Sequence, residues 1–292
     1  MRIIHNMRNN NILVLCIRLV IFICACLLVE QFASHVVRFF VGPAGEPSSQ
    51  TEQFGGKSGE KSEEIIPRHI YQTWHTKTLP ENMQKCVDKL KSDNPEFEHH
   101  LFDDSACREF VVSHFSKEVV AAYDSLIPEA FKADLWRYCV LYKMGGVYLD
   151  IKYYTVSPFK LVELTDKEYL VRDIPPSGGG VYNALLVCKA GNAVLKQCID
   201  AVVKNTEEKY YGDSVFDITG PLLMKRFVSD SELAACELSL GEGNGCPDKT
   251  CIYKSGTAIM SMYKTYRNDQ RKTGKPTYFD QWVDRKVYNP AK

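Results

Sequence analysis

Residues 128–159, PEAFKADLWRYCVLYKMGGVYLDIKYYTVSPF, constrain this chain more than any other stretch. Phe131, Leu135, Tyr138/Cys139 and Tyr142 recur at helical spacing, which predicts a helix with one face on a core. Pro128 suits its first turn, where a missing N–H costs nothing. Gly145-Gly146 supplies a left-handed stop. Val147, Leu149, Ile151 and Tyr153 then alternate with Tyr148, Asp150, Lys152 and Tyr154, the period of a strand. Asp150 and Lys152 therefore share one strand face, opposite the aliphatic one. Asp134 and Arg137, three apart, share a face of the helix. Four charges converge beside a buried strand, and that makes a candidate site.

The flanking pattern sets the fold class. Residues 66–74 read as a first strand with Pro67 at its start. Residues 79–90 read as a helix entered through Pro80, 98–102 as a strand and 103–115 as a helix. Beyond the focal stretch, 169–172 and 181–188 read as strands, and 192–204 and 221–228 as helices. Such alternation predicts one α/β domain with a mainly parallel sheet. The tail over 236–292, rich in Tyr, Lys and Gly, reads as irregular.

The N-terminus has a different character. Residues 12–29 (ILVLCIRLVIFICACLLV) are apolar except for Arg18, close to the ~20 residues a spanning helix needs. Arg2 and Arg8 precede this segment and Glu30 follows it, which puts residues 1–11 in the cytosol and the bulk of the chain in the lumen. A cleaved signal peptide, with Phe32-Ala33-Ser34 as its site, is the alternative. Residues 30–64, dominated by Gly, Pro, Ser, Gln and charge, read as a flexible stem. The expected layout is anchor at 12–29, stem at 30–64 and luminal domain at 65–292: a single-pass type II protein of the Golgi or ER–Golgi membrane. Lys plus Arg equals Asp plus Glu at 36 each, so bulk charge gives no argument for a nucleic-acid partner.

Three of the eleven cysteines (Cys16, Cys24 and Cys26) fall in the apolar segment. The rest occupy an expected oxidising compartment, where some disulfides form. Cys246 and Cys251, bracketing a Pro-Asp-Lys-Thr turn, are the best local pair. Cys139 and Cys188 read as core thiols. No cysteine or histidine spacing suggests zinc.

IPRHIYQTWHT, LFDD and AFKADLWRYCVLYKMGGVYLD, followed by VYNALLVCKAGNAVL and DITGP, occur in that order. The chain thereby resembles glycosyltransferase family 32, the family with a DXD sugar-binding region, which includes fungal initiating α-1,6-mannosyltransferases and sphingolipid mannosyltransferases. The resemblance implies a GT-A, Rossmann-like nucleotide-diphospho-sugar transferase fold behind the membrane anchor. It also implies retention of anomeric configuration. The implied donor is a nucleotide sugar, GDP-mannose or otherwise a UDP-hexose, and the implied acceptor a glycan or glycolipid. Asp134 and Arg137 match positions that hold the donor hexose, and Asp150 matches the first DXD carboxylate, on the metal side. Tyr71, Gln72, Thr73 and Trp74 match the segment lining the nucleotide pocket. Asn183, Thr219 and Gly220 match segments near the acceptor.

Lys152 departs from the family, standing where the second Asp belongs. Three readings stay open. The ammonium replaces the divalent metal (Mn2+ or Mg2+) against the diphosphate; or metal is still held by Asp150 with Asp269 or Asp280; or catalysis is lost, leaving a luminal protein that binds glycans or nucleotide sugars. Each signal also has a plainer reading. Asp134 and Arg137 read equally as a surface ion pair, Trp74 as core, and Asp150/Lys152 as a solvated strand face. Tyr263, Tyr266, Tyr278 and Tyr288 with Lys264 and Arg267 read as a polar packing surface rather than a lid.

Overall fold

The structure, a computed structural model, describes residues 66–174, 179–242, 245–247 and 250–290. The apolar segment at 12–29, the stem at 30–64 and the cysteines of the former lie outside them. Among the described residues no helix is long and apolar enough to cross a membrane.

In chain order the strands are β1 (His69–Thr73), β2 (Glu98–Phe102), β3 (Gly146–Leu149), β4 (Tyr153–Thr155), β5 (Tyr169–Arg172), β6 (Val181–Cys188), β7 (Leu238–Gly241), β8 (Cys251–Lys254) and β9 (Thr257–Met262). The helices are α1 (Glu81–Asp93), α2 (Asp104–His114), α3 (Lys117–Ser125), α4 (Glu129–Met144), α5 (Ala193–Glu207), α6 (Pro221–Lys225), α7 (Asp230–Ala234), α8 (Tyr266–Lys272) and α9 (Tyr278–Val283). One sheet runs in the order β2-β1-β3-β6-β5-β7-β8-β9-β4.

The class is mixed α/β, as expected, but the sheet is not mainly parallel. Only β1/β2, β1/β3 and β5/β7 are parallel; β3/β6, β5/β6, β7/β8, β8/β9 and β4/β9 are antiparallel. A strand buried on both faces carries an aliphatic run in either direction, so β6 gave no sign of its polarity. The tail is not irregular either. It supplies β7–β9, which complete the sheet, and then α8 and α9.

Strand alternation divides the core into two faces. Tyr71, Tyr148, Leu186 and Cys188 join a cluster with Leu135, Trp136 and Cys139 of α4 and with Leu195, Cys198 and Val202 of α5. Ile70, Val147, Leu149, Leu185 and Val187 face the other way, onto Leu90 of α1 and Leu161 and Leu164. Each full burial of such a side chain is worth about 1.5–3 kcal/mol. Helix α4 lies deep: its residues 134–141 are all buried, polar Asp134 and Arg137 among them. Pro128 is its N-cap, one position before the expected first turn. Cys139 and Cys188 are buried free thiols, and Cys246 and Cys251 form a disulfide.

The focal strand is shorter than its pattern. β3 ends at Leu149, and Asp150, Ile151 and Lys152 form a connection to β4 at the far edge of the sheet. In a flat sheet those two strands would be about 29 Å apart at about 4.8 Å per strand. The links from Leu149 to Tyr153 reach at most about 14 Å. The sheet therefore curls until its last strand returns to the end of β3, and Asp150 and Lys152 sit where it closes.

Two glycines permit the entry into β3. Gly145, the C-cap of α4, has φ 65°, and Gly146 has φ 109°. A Cβ on Gly146 would lie 2.8 Å from the His69 carbonyl oxygen of the neighbouring strand. Positive φ and that backbone clash together predict a loss of about 2–3 kcal/mol for Gly146→Ala. Thermal unfolding should show the midpoint falling by several degrees, and an unchanged midpoint would contradict this account of the turn.

Candidate functional site

The carboxyl ends of β1 and β3, the start of β6, one face of α4 and the loop entering α6 meet at a single cleft. In sheets of this kind, ligand sites lie outside the carboxyl ends of strands. Asp150 leaves β3 there, held by its backbone N–H on the Ala184 carbonyl at 2.8 Å. Asp134 and Arg137 point at it from α4. The loop before α6 is fixed by Asn205, which donates to the Ile218 carbonyl at 2.8 Å, and by the Tyr138 hydroxyl, which donates to the Thr219 carbonyl at 2.7 Å.

Four charges form a chain. The Asp134 carboxylate accepts from Thr219 Oγ1 (2.7 Å) and Asn183 Nδ2 (3.0 Å) and pairs with Arg137 at 3.1 Å. Arg137 donates to the Asn183 carbonyl (2.7 Å), lies over the Tyr148 ring at 4.3 Å and approaches Asp150 Oδ1 at 3.5 Å. The Tyr148 hydroxyl donates to the same oxygen at 2.7 Å. Lys152 Nζ donates to Asp150 Oδ2 at 2.5 Å. Around that ammonium stand Tyr153, Tyr182 and Tyr266, with ring centroids at 5.4, 5.6 and 5.8 Å. Aromatic faces stabilise a cation by up to about 2 kcal/mol when it is shielded from water.

Burial decides between the functional and plain readings. The Arg137 and Asp134 side chains are only 7% and 12% exposed. An exposed pair is worth under about 1 kcal/mol, whereas removing one partner of a buried pair costs about 3–5. The surface-pair reading of Asp134 and Arg137 therefore fails. So does the solvated-face reading of Asp150 and Lys152, whose side chains are 21% and 13% exposed.

The cleft holds about 1180 Å³ and is lined by Thr73, Trp74, Asp134, Arg137, Asp150, Lys152, Asn183 and Gly220. Other expected residues stand behind it. Tyr71 is buried in the α4 core, stacked on His100 at 5.1 Å. Gln72 is fully buried, its amide 3.5 Å from the Asp150 carbonyl and 2.8 Å from the His99 ring. Thr219 is buried and touches the cleft through Asp134. Trp74 lines the wall half-buried, against His75 at 4.7 Å, and is not simply core. The tail aromatics divide. Tyr266, Arg267 and Tyr278 line the cleft, Tyr263 packs under it, and Tyr288 packs on Tyr211. The packing-surface reading is thus wrong for the first three. Sequence reasoning missed Tyr148, Tyr182 and Asp173, all cleft residues. For Tyr148 the signal was present: it precedes Asp150 by two residues, on the same face.

The donor set does not suit a divalent cation. A charged lysine has no lone pair, and both oxygens of Asp150 are engaged. Asp269 is turned to the Tyr263 hydroxyl and Lys272, and Asp280 caps α9 through Thr277. Neither lines the cleft.

Residues 80–170 match the family described as glycosyltransferase sugar-binding region containing DXD motif. Over this segment the chain is similar to glycosyltransferase sugar-binding regions of the DXD family. The matched segment contains Asp134, Arg137, Asp150 and Lys152. The chain is 29% identical over 127 residues to inositol phosphoceramide mannosyltransferase 3 of Schizosaccharomyces pombe, covering 42% of this chain and 34% of that protein. It is 31% identical over 99 residues to the initiation-specific α-1,6-mannosyltransferase of Candida albicans, covering 32% and 26%. The chain thus spans about a third or less of the length of these relatives. Among solved structures, PaToxG glycosyltransferase aligns with a TM-score of 0.46 at 19% identity, over 58% of this chain and 73% of that one.

Burial alone would raise the Asp150 carboxyl, but Lys152 and then Arg137 outweigh it and hold the group below the usual carboxylate range. Burial works against the Lys152 ammonium too, and Asp150 outweighs it, raising its pKa. A depressed carboxylate adds stability above its unfolded pKa and loses it as pH falls through the folded value. Lys152→Met should therefore cost about 3 kcal/mol at neutral pH. The gap from wild type should close as pH drops through the carboxylate range, in melting curves taken from pH 7 to 3. A gap that does not change with pH would show that the pair contributes no such linkage.

Proposed function

We propose that this chain is a retaining hexosyltransferase that moves a hexose from a nucleotide sugar to a hydroxyl of a glycan or glycolipid. Mannose from GDP-mannose is the preferred donor reading, with a UDP-hexose second. The observation that carries it is the buried chain Asp134–Arg137–Asp150–Lys152 opening into one cleft, inside a DXD-family sugar-binding region. The named mannosyltransferase relatives support the choice of sugar. The cleft volume supports two substrates, since one small-molecule site takes roughly 300–1,000 Å³.

Asp134 positions the hexose. Its Oδ1 is occupied by Asn183 and Arg137, while Oδ2 accepts only from Thr219 and retains a lone pair for a sugar hydroxyl. Trp74 offers a flat apolar face to the base or sugar. In the transfer, the bond from the anomeric carbon to the diphosphate breaks and a bond to the acceptor oxygen forms on the same face. The departing diphosphate takes the hydroxyl proton. Lys152 and Arg137 are little-exposed cations fixed beside the cleft, where charge develops on that leaving group.

Charge supports a metal-independent version. Two carboxylates and two cations cancel in this site. Replacing a second carboxylate by an ammonium adds two positive charges, the same amount that a divalent ion brings to an Asp-x-Asp pair. The apolar 12–29 segment behind Arg2 and Arg8, together with the Cys246–Cys251 disulfide, supports a type II Golgi placement with the domain in the lumen.

Labelled GDP- and UDP-sugars, tested for hydrolysis and transfer, examine the whole reading. Turnover should persist unchanged in EDTA and fall by about 10²-fold or more in Lys152→Ala. Lys152→Asp should recover part of that loss only with added Mn2+. Loss of wild-type turnover in EDTA, restored by Mn2+, would refute the metal-independent version. Donor binding without turnover in any condition would refute the transferase reading.

A further inference from the structure

At the opposite ends of β1 and β2 from the cleft, three side chains converge that the transferase reading does not use. Parallel pairing sets His69 beside Glu98 and Tyr71 beside His100. The period of two puts Glu98 and His100 on one face of β2, and the register brings His69 to them. His69 Nδ1 lies 3.0 Å from His100 Nε2. The Glu98 carboxylate straddles the pair, with Oε2 at 3.5 Å from His69 and Oε1 at 3.6 Å from His100. All three ligand atoms lie within 4.8 Å of one another.

The two histidines are within hydrogen-bond distance of each other at 3.0 Å. The carboxylate contacts are too long for good hydrogen bonds, so Glu98 faces both rings without being bonded to either. The distances suit a shared ion better. At bonds of about 2.0–2.1 Å and tetrahedral angles, neighbouring ligand atoms lie about 3.3 Å apart. The two ring nitrogens are 3.0 Å apart, and each has a different oxygen of the Glu98 carboxylate at 3.5 or 3.6 Å, distances near that value. His99 shows the contrast: it faces the other way, bonded to Gln72 at 2.8 Å.

We propose that His69, Glu98 and His100 form a site for a borderline transition-metal ion, Zn2+ foremost, with a fourth position open to solvent. Two imidazoles and one carboxylate favour Zn2+, Co2+, Ni2+ or Cu2+ over Mg2+ or Ca2+, which prefer all-oxygen ligands. The frame is fixed beforehand. The Glu98 N–H donates to the Arg68 carbonyl at 2.9 Å, and the His100 ring stacks on Tyr71 at an interplanar angle of 15°. The ligands come from two adjacent strands, and β2 is the edge of the sheet. A bound ion therefore clamps the edge strand to its neighbour. The length of β1 sets it about 13 Å from the cleft, so its role is to stabilise rather than to carry chemistry.

Co2+ titration of the metal-stripped full chain tests this directly. We expect saturable one-to-one binding with the visible absorption of four-coordinate cobalt, displacement by Zn2+, and a raised melting temperature with either ion. His69→Ala and Glu98→Gln should each weaken binding by more than about 100-fold, beyond the roughly 10–100-fold that removing an outer-shell partner costs. The Glu98 side chain is exposed and contacts the two rings only at 3.5 and 3.6 Å, so Glu98→Gln keeps the fold even if a histidine variant does not. Absence of saturable binding would overturn the site, and so would binding that neither variant weakens, which would place the ion elsewhere.

Discussion

Arg137 holds the site together. Its guanidinium is buried against the Tyr148 ring and reaches Asp134 on its own helix, Asp150 after β3 and the Asn183 carbonyl on β6. One helix, the strand that follows it and the more distant β6 thus depend on one fixed cation. A buried guanidinium without partners would cost several kcal/mol. Every group that satisfies it is therefore held in place as firmly as the core around it. Lysine would not serve, because one ammonium cannot present a planar fork to partners in several directions and stack on a ring as well.

Local periodicity was enough for the elements that surround Arg137, and it failed where direction or distance mattered. The strands at Tyr169–Arg172 and Val181–Cys188 were readable to the residue because their apolar runs are bounded by polar or turn-forming residues, and Glu98–Phe102 was readable between the Asn94-Pro95 turn and the Asp103-Asp104 helix start. Polarity was not readable: β6 is buried on both faces, and its antiparallel pairing with β3 leaves no mark on the pattern. β3 was read too long because Ile151 and Tyr153 continue the alternation after the strand has stopped. Ile151 is buried, but in the small cluster with Met83 and Tyr263 rather than in the sheet core. In the tail, strands of four residues with Ser239, Tyr253 and Lys254 among them are too short and too polar to show a period. Only pairing with one another makes β7 and β8 visible.

The site divides along the same line. Asp134, Arg137, Asp150 and Lys152 were readable because helix and strand spacing put each pair on one face, and family order linked the pairs. Their depth was not readable, since it depends on the loop around Thr219 folding over Asp134. Tyr71 and Gln72 show the converse. They sit in the expected segment, but alternation turns Tyr71 into the α4 core, and Gln72 is buried under Asp150. Only Thr73 and Trp74, at the strand's end, reach the cleft. Half of a four-residue segment can therefore stand behind a cleft that its other half lines.

Lys152 is better understood from its surroundings than as a lost carboxylate. Three tyrosine rings and Asp150 enclose its ammonium, and Tyr153 and Tyr182 are fixed to each other through their hydroxyls at 2.8 Å. An ammonium retained only as a relic would have no reason to be so enclosed, since a buried cation needs compensation at each step of its desolvation. The enclosure also determines what an entering anion meets. Because Asp150 already neutralises Lys152, the diphosphate of the proposed donor would share the ammonium with that carboxylate, with the attraction greatest when the leaving group gains negative charge. In the transfer proposed above, such an arrangement would favour the transition state, where charge develops on the leaving group, over the bound donor, which is the differential binding that catalysis requires.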